Sequence, residues 1–215
     1  MTSKSGLEMS DTDLKQAYGL DQVMTVKIEA LVGEIPQPFE YGHVFAREDV
    51  GGQARLRVGL NEAQDACVLT LASGLSGPFQ LLYVLHTTRT GAELGRYESP
   101  ELTSAGVEEF FNEFGRFFCE DSRHDLWVRS HDDDATIVLD RHNVIYAYGP
   151  LDAFEAALQS LGARKGEPAV LGAHLHHYHP AWDEAERRVL RSFDWDIKPL
   201  RPSDVQFDAT RDDRQ

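Results

Sequence analysis

The sequence predicts an α+β fold: a single domain with a largely antiparallel sheet, covered on one face by about three helices. Three observations carry this expectation. Apolar and polar residues alternate in the first half, most clearly in QARLRVGL (53–60). A phenylalanine stripe at helical spacing follows in VEEFFNEFGRFF (107–118). Strand-like and helical segments then mix through the second half.

Taken in order, MTVKIEALV (24–32) places Met24, Val26, Ile28, Ala30 and Val32 on one face of a strand. A helix through Leu20, Val23, Met24, Ile28 and Leu31 competes, but it would carry Lys27 in its apolar stripe. FEYGHVFA leads into Asp49–Val50–Gly51–Gly52, whose glycines suit a hairpin turn before the strand at 53–60. ACVLTLA (66–72) and FQLLYVLHT (79–87) are apolar enough for central strands, with SGLSGP as the turn between them. Val107, Phe110, Phe111, Phe114, Phe117 and Phe118 form one helical face, and Thr103 or Ser104 can cap its start. A meander of DLWVRS (125–130), TIVLD (136–140) and VIYAYG (144–149) comes next, turning at HDDDA and RHN. PLDAFEAALQSLG then reads as a helix with Pro150 in its first turn, Leu151, Phe154, Leu158 and Leu161 inward, and Gly162 at its end. AVLGAHLHHYH (169–179) reads as a strand. The last helix starts near Pro180 and shows Trp182, Ala185, Val189 and Phe193 on one side.

A chain of 215 residues suits one sizeable domain. Residues 1–12 read as a loose tail, 13–200 as the domain and 201–215 as a second loose tail. No apolar run reaches the ~18 residues of a membrane span, and the polar start lacks the ~7–15-residue apolar core of a secretory signal. A cytoplasmic protein is therefore expected. Cys67 and Cys119 are expected to be free thiols. Twenty-one basic residues against thirty-six acidic ones leave a formal net charge of −15. Nucleic acid and anionic membranes would be repelled, whereas a basic protein partner would be attracted.

Familiar catalytic signatures are missing. The chain has no GxxxxGK[ST] phosphate loop and no glycine fingerprint at a strand–helix turn. Ser76 lies in SGLSG and not in GxSxG. His86 in LHTT matches the histidine–x–threonine motif of some phosphoesterases, but a second, facing copy is absent. The acids of HDDD (131–134) lack the spacing and glycine of a calcium loop.

The densest chemistry lies in AHLHHYHPAWDEAE (173–186). On a strand, His174, His176 and Tyr178 face one side, while His177 and His179 face the other. An HxH pair at i and i+2 can grip one metal ion, and zinc needs three or four such ligands. His179 and Asp183 are the candidate third and fourth ligands, with Glu184 or a distant His142, His86 or His43 as alternatives. HLHHYH resembles the HxHxDH motif of metallo-β-lactamase-like hydrolases, except that Tyr178 replaces its aspartate. The cupin-type HxH is followed by a glutamate where this chain has Pro180 and Ala181. Neither family is assigned.

Three functional expectations result. The first is a non-catalytic interaction or inhibitor (immunity-like) protein that meets a basic protein partner. The second is a metal-dependent hydrolase or metal-binding protein holding zinc or another divalent metal at His174, His176, His179 and Asp183. The third is a pH-responsive or ligand-binding α+β domain.

Overall fold

A computed structural model describes residues 26–204. Its twelve strands are β1 (Ile28–Val32), β2 (Ile35–Pro38), β3 (Val44–Val50), β4 (Gln53–Gly59), β5 (Phe79–Leu85), β6 (Gly95–Glu98), β7 (His124–Ser130), β8 (Ala135–Leu139), β9 (Val144–Tyr148), β10 (Arg164–Lys165), β11 (His174–His176) and β12 (Asp196–Lys198). The described residues also hold four α-helices, α1 (Gln64–Ser73), α2 (Ser104–Glu120), α3 (Leu151–Ser160) and α4 (Asp183–Val189).

Nine strands form one sheet in the order β10-β3-β4-β9-β8-β7-β5-β6-β12. All its pairings are antiparallel except β10 with β3. The fold class is thus α+β, as the sequence predicts. Alternate strand residues, among them Leu56, Val58, Leu81, Tyr83, Val128, Ile137 and Ile145, join side chains from all four helices in one apolar core. The phenylalanine stripe of α2 supplies its aromatic centre, where Phe110, Phe114 and Phe118 lie within 5.1–6.4 Å of one another by ring centroid. Thr103 caps α2 by accepting from the Gly106 N–H at 3.2 Å.

The opposite residues of the same strands build a different face. One cross-strand row runs Arg57–Tyr146–Val138–Trp127–Leu82–Glu98, and a neighbouring row runs Tyr148–Thr136–Arg129–Gln80. Arginine and aromatic side chains thus line the side that the helices leave open.

A second, three-stranded sheet has the order β11-β1-β2. Its register pairs Ile28 with His176 and Ala30 with His174. Ile28, Tyr41 and Val144 form a small core beneath it.

Three expectations need correction, and the start of the last helix near Pro180 is sharpened. Residues 66–72 are not a strand but the body of α1. Gln64, Cys67, Val68 and Leu71 are buried at i, i+3, i+4 and i+7, a helical stripe that a uniformly apolar run conceals. The strand expected over 169–179 shrinks to His174–His176, because pairing to β1 ends where Gly172 and Pro180 flank it. The last helix begins with a 3-10 turn at Pro180–Trp182 before α4 proper. Leu161, expected inward, lies just past α3 and is 39% exposed.

The expected strand at 24–32 is described from Val26 onward, and its paired part starts at Ile28. The reading of 1–12 as a tail lies outside the described residues, as do 205–215. Arg201–Asp204 make a turn in which Asp204 pairs with the buried Arg96 at 2.6 Å. Both cysteines are free, and burial pushes each thiol up to about 12.

Candidate metal centre

The cluster begins with a turn. Between β8 and β9 the chain reverses through Asp140, Arg141, His142 and Asn143. Asn143 occupies the left-handed region (φ 65°), which its short amide tolerates better than most side chains. Asp140 organises the reversal: its Oδ1 accepts from the N–H groups of His142 and Val144, both at 2.8 Å. The other oxygen, Oδ2, meets His142 Nδ1 at 3.1 Å. Burial works to raise the Asp140 pKa. The hydrogen bond from His142, the nearby Lys27 and the Val144 N–H outweigh it, so the carboxyl is held below its usual value.

β11 brings the other two rings. Its alternation places His174 and His176 together on one face, with Nε2 atoms 3.1 Å apart. His177 turns the other way and meets Glu29 at 2.8 Å. The centroid separations of His142 from His174 and His176 are 5.1 and 4.9 Å, and that between His174 and His176 is 4.8 Å. One ligand nitrogen from each ring lies within 4.8 Å of the others, a set that could hold a metal ion. Ideal tetrahedral zinc–nitrogen bonds imply spacings of about 3.4 Å, so the side chains would have to close slightly around an ion.

Proton bookkeeping favours the same use. His174 Nδ1 lies 2.8 Å from the carbonyl of Gly172, which can only accept, so Nδ1 carries the proton and Nε2 presents a lone pair. Pairing with Asp140 likewise places the His142 proton on Nδ1 and frees its Nε2. His176 Nδ1 is buried without a hydrogen-bond partner. No tautomer of His176 therefore satisfies both of its nitrogens within the protein. Burial lowers its pKa to about 3, and the crowding of His142, Arg141, His174 and Lys27 around it acts in the same direction. Neutral imidazole is the form that binds metal.

Lys27 lies behind the turn, fully buried, donating to the carbonyls of Phe118 at 2.7 Å and Asp140 at 2.9 Å. Desolvation lowers its pKa against the pull of Cys119 and nearby aspartates. Tyr41 OH donates to the His142 carbonyl at 2.7 Å. In front of the rings opens a cleft of about 260 Å³, lined by His142, His174, Asp140, Arg57, Tyr41 and Tyr146.

Of the residues the sequence nominates, His174 and His176 converge here, and His142, named only as a distant alternative, is the third. His179 and Asp183 lie elsewhere. His179 Nε2 meets the Val26 carbonyl at 2.9 Å. Asp183 accepts from Arg123 at 3.2 Å and lies 3.3 Å from Arg89. His86 pairs with Asp125 at 2.8 Å, and His43 lies against the Leu161 carbonyl at 3.4 Å. The missed signal is Asp140-x-His142: a carboxylate two residues before a histidine, in a turn that can orient its ring.

The fold and site define an α+β protein with a three-histidine cluster backed by a carboxylate. Comparison with family models, curated proteins and solved structures finds no match.

Proposed function

We propose that this chain is a metal-binding protein whose centre is formed by His142, His174 and His176, with zinc or a similar divalent ion as the ligand. The observation that carries the reading is the convergence of three imidazoles, two of which, His142 and His174, hold their proton on Nδ1 and leave Nε2 free. Imidazole suits zinc, copper, iron and nickel, whereas magnesium and calcium prefer oxygen. Asp140 is the outer partner that fixes the His142 ring, as carboxylates do behind metal-bound histidines.

Three protein ligands leave a coordination position, and the cleft gives it access to solvent. A metal bound this way supplies an activated water, the basis of metal-assisted hydrolysis. Within this reading a substrate would meet Tyr146 and Arg57, which line the cleft, with Arg57 also paired to Glu167 at 2.9 Å. A cytoplasmic setting and a basic protein partner rest on the composition alone. The histidine cluster is what supports the metal reading.

The test is a zinc titration of tag-free protein by calorimetry. One site per chain is expected, abolished by His142→Ala or His174→Ala and weakened about 10–100-fold by Asp140→Asn. Equal zinc uptake by the wild type and the His142→Ala variant would sink the proposal.

A further inference from the structure

The open face of the nine-stranded sheet carries a second feature that the histidine centre does not use. A cleft of about 430 Å³ lies across β9, β8, β7, β5 and β6, lined by Leu82, Arg96, Trp127, Arg129, Tyr148 and Arg201, among others. It shares no lining residue with the cleft before the histidines. Its size falls within the ~300–1,000 Å³ range of small-molecule sites.

The lining chemistry is selective. Arg96 is only 5% exposed and stands with its guanidinium 5.6 Å from the Trp127 ring centre. One of its nitrogens pairs with Asp204 at 2.6 Å, but Nε is buried without a hydrogen-bond partner. The indole Nε1 of Trp127 is also buried and unpartnered. Both groups are donors only, so what they lack is an acceptor. Leaving such a donor unsatisfied costs about 1–3 kcal/mol, so a small shift of either side chain toward an acceptor in the cleft would be favourable. Arg129 and Arg201 add two guanidinium groups to the rim. The acids there are Asp134 and Glu98, and Glu98 is engaged by Lys198 at 2.5 Å. In a chain of net charge −15, this gathering of arginines runs against the overall balance. The indole of Trp127 and the phenol ring of Tyr148, with Leu82 between strands, offer flat and apolar walls.

We propose that this cleft binds a small aromatic anion, its carboxylate or phosphate taken by the arginines and the indole N–H, and its ring lying against Trp127 and Tyr148. Guanidinium groups suit both carboxylate and phosphate by their bidentate geometry. The concave cleft and its three arginines favour such a ligand over a flat protein surface.

Two probes, phenyl phosphate and benzoate, test the proposal and separate the two anion sources. Inorganic phosphate and phenol serve as the ring-free and charge-free halves. Calorimetry is expected to show at least one probe binding tenfold or more tightly than either half. The double variant Arg129→Ala plus Arg201→Ala should weaken it at least tenfold while leaving the circular dichroism spectrum unchanged. In nitrogen-15 NMR the Trp127 indole N–H signal, assigned by its loss in Trp127→Phe, should move on addition of the probe. The His174→Ala variant should bind the probe as the wild type does, so loss of the metal reading leaves this result standing. Absence of binding by both probes with a stationary indole signal would overturn the proposal. So would a dimer in light scattering that the double arginine variant dissociates, since the face would then belong to a second copy.

Discussion

At the scale of single residues, the pair His174 and His176 was legible because strand alternation decides which side chains share a face. His142 was not, because RHN between two strands reads as an ordinary exposed turn. Only the fold shows that the turn folds back onto β11. His179 and Asp183 looked suitable by proximity in sequence, but strand alternation turns His179 to the side of His177, and the 3-10 turn from Pro180 carries Asp183 to Arg123.

His124 is another residue whose role depends on the fold. It is fully buried against the rings of Tyr83, Phe117 and Phe118, with centroids 4.5–5.2 Å away. Desolvation, then the charges of Lys27, Arg123 and His86, hold its pKa well below the ordinary value. The unfolded chain takes up a proton near pH 6.5 while the native state does not. The stability this histidine preserves is therefore present above about pH 6.5 and lost as pH falls below it. The expected slope is up to about 1.4 kcal/mol per pH unit, the value for one linked proton. Chemical denaturation between pH 7 and 5 should show it, and His124→Phe should flatten that dependence. An unchanged slope in the variant would refute the assignment.

Among elements, those with a clear period were readable and those without were not. α2 shows five phenylalanines on one stripe, and its boundaries and cap follow from sequence. β4 follows from alternation, β5 from its apolar run, and the β7–β9 meander from short segments separated by turn residues. α1 failed because nearly every residue of 66–72 is apolar or small, which gives neither period. The short strands β6, β10 and β12 carry too few residues to show a pattern and exist through their neighbours.

The entry to α1 also holds a testable strain. Ala63 sits at φ 57°, ψ 36° before the helix, a left-handed conformation that costs a residue with a Cβ about 1–2 kcal/mol. Ala63→Gly should therefore raise stability by about 1 kcal/mol in urea denaturation. A loss of stability would show that glycine's extra freedom in the unfolded chain dominates.

Across the whole molecule, one buried ion network ties the two sheets and the last helix together. Arg123 is fully buried and grips Asp121 through two bonds of 2.7 and 2.9 Å. It also donates to Glu186 at 2.7 Å and to the His179 carbonyl at 3.0 Å. Asp121 accepts from the His179 N–H at 2.8 Å, and the Ser122 N–H donates to the His177 carbonyl at 3.1 Å. These bonds fix the chain just after β11, and thereby the histidine pair. Arg123→Met strands Asp121 and Glu186 as buried charges, which should cost about 3–5 kcal/mol. Because the strand is anchored by the same bonds, zinc affinity should fall as well, as calorimetry at a temperature where the variant remains folded would show.

None of the described helices is long and apolar enough to cross a membrane. The chain's negative charge, visible from composition, says little about the histidine site, whose chemistry depends on three rings drawn from two sheets. The metal content of protein purified without a histidine tag tests that site most directly. Mass spectrometric elemental analysis should find about one divalent transition metal per chain in the wild type, and little in the His142→Ala, His174→Ala or His176→Ala variants. Metal far below one per chain, unchanged by all three substitutions and unaltered after incubation with zinc, would contradict the account.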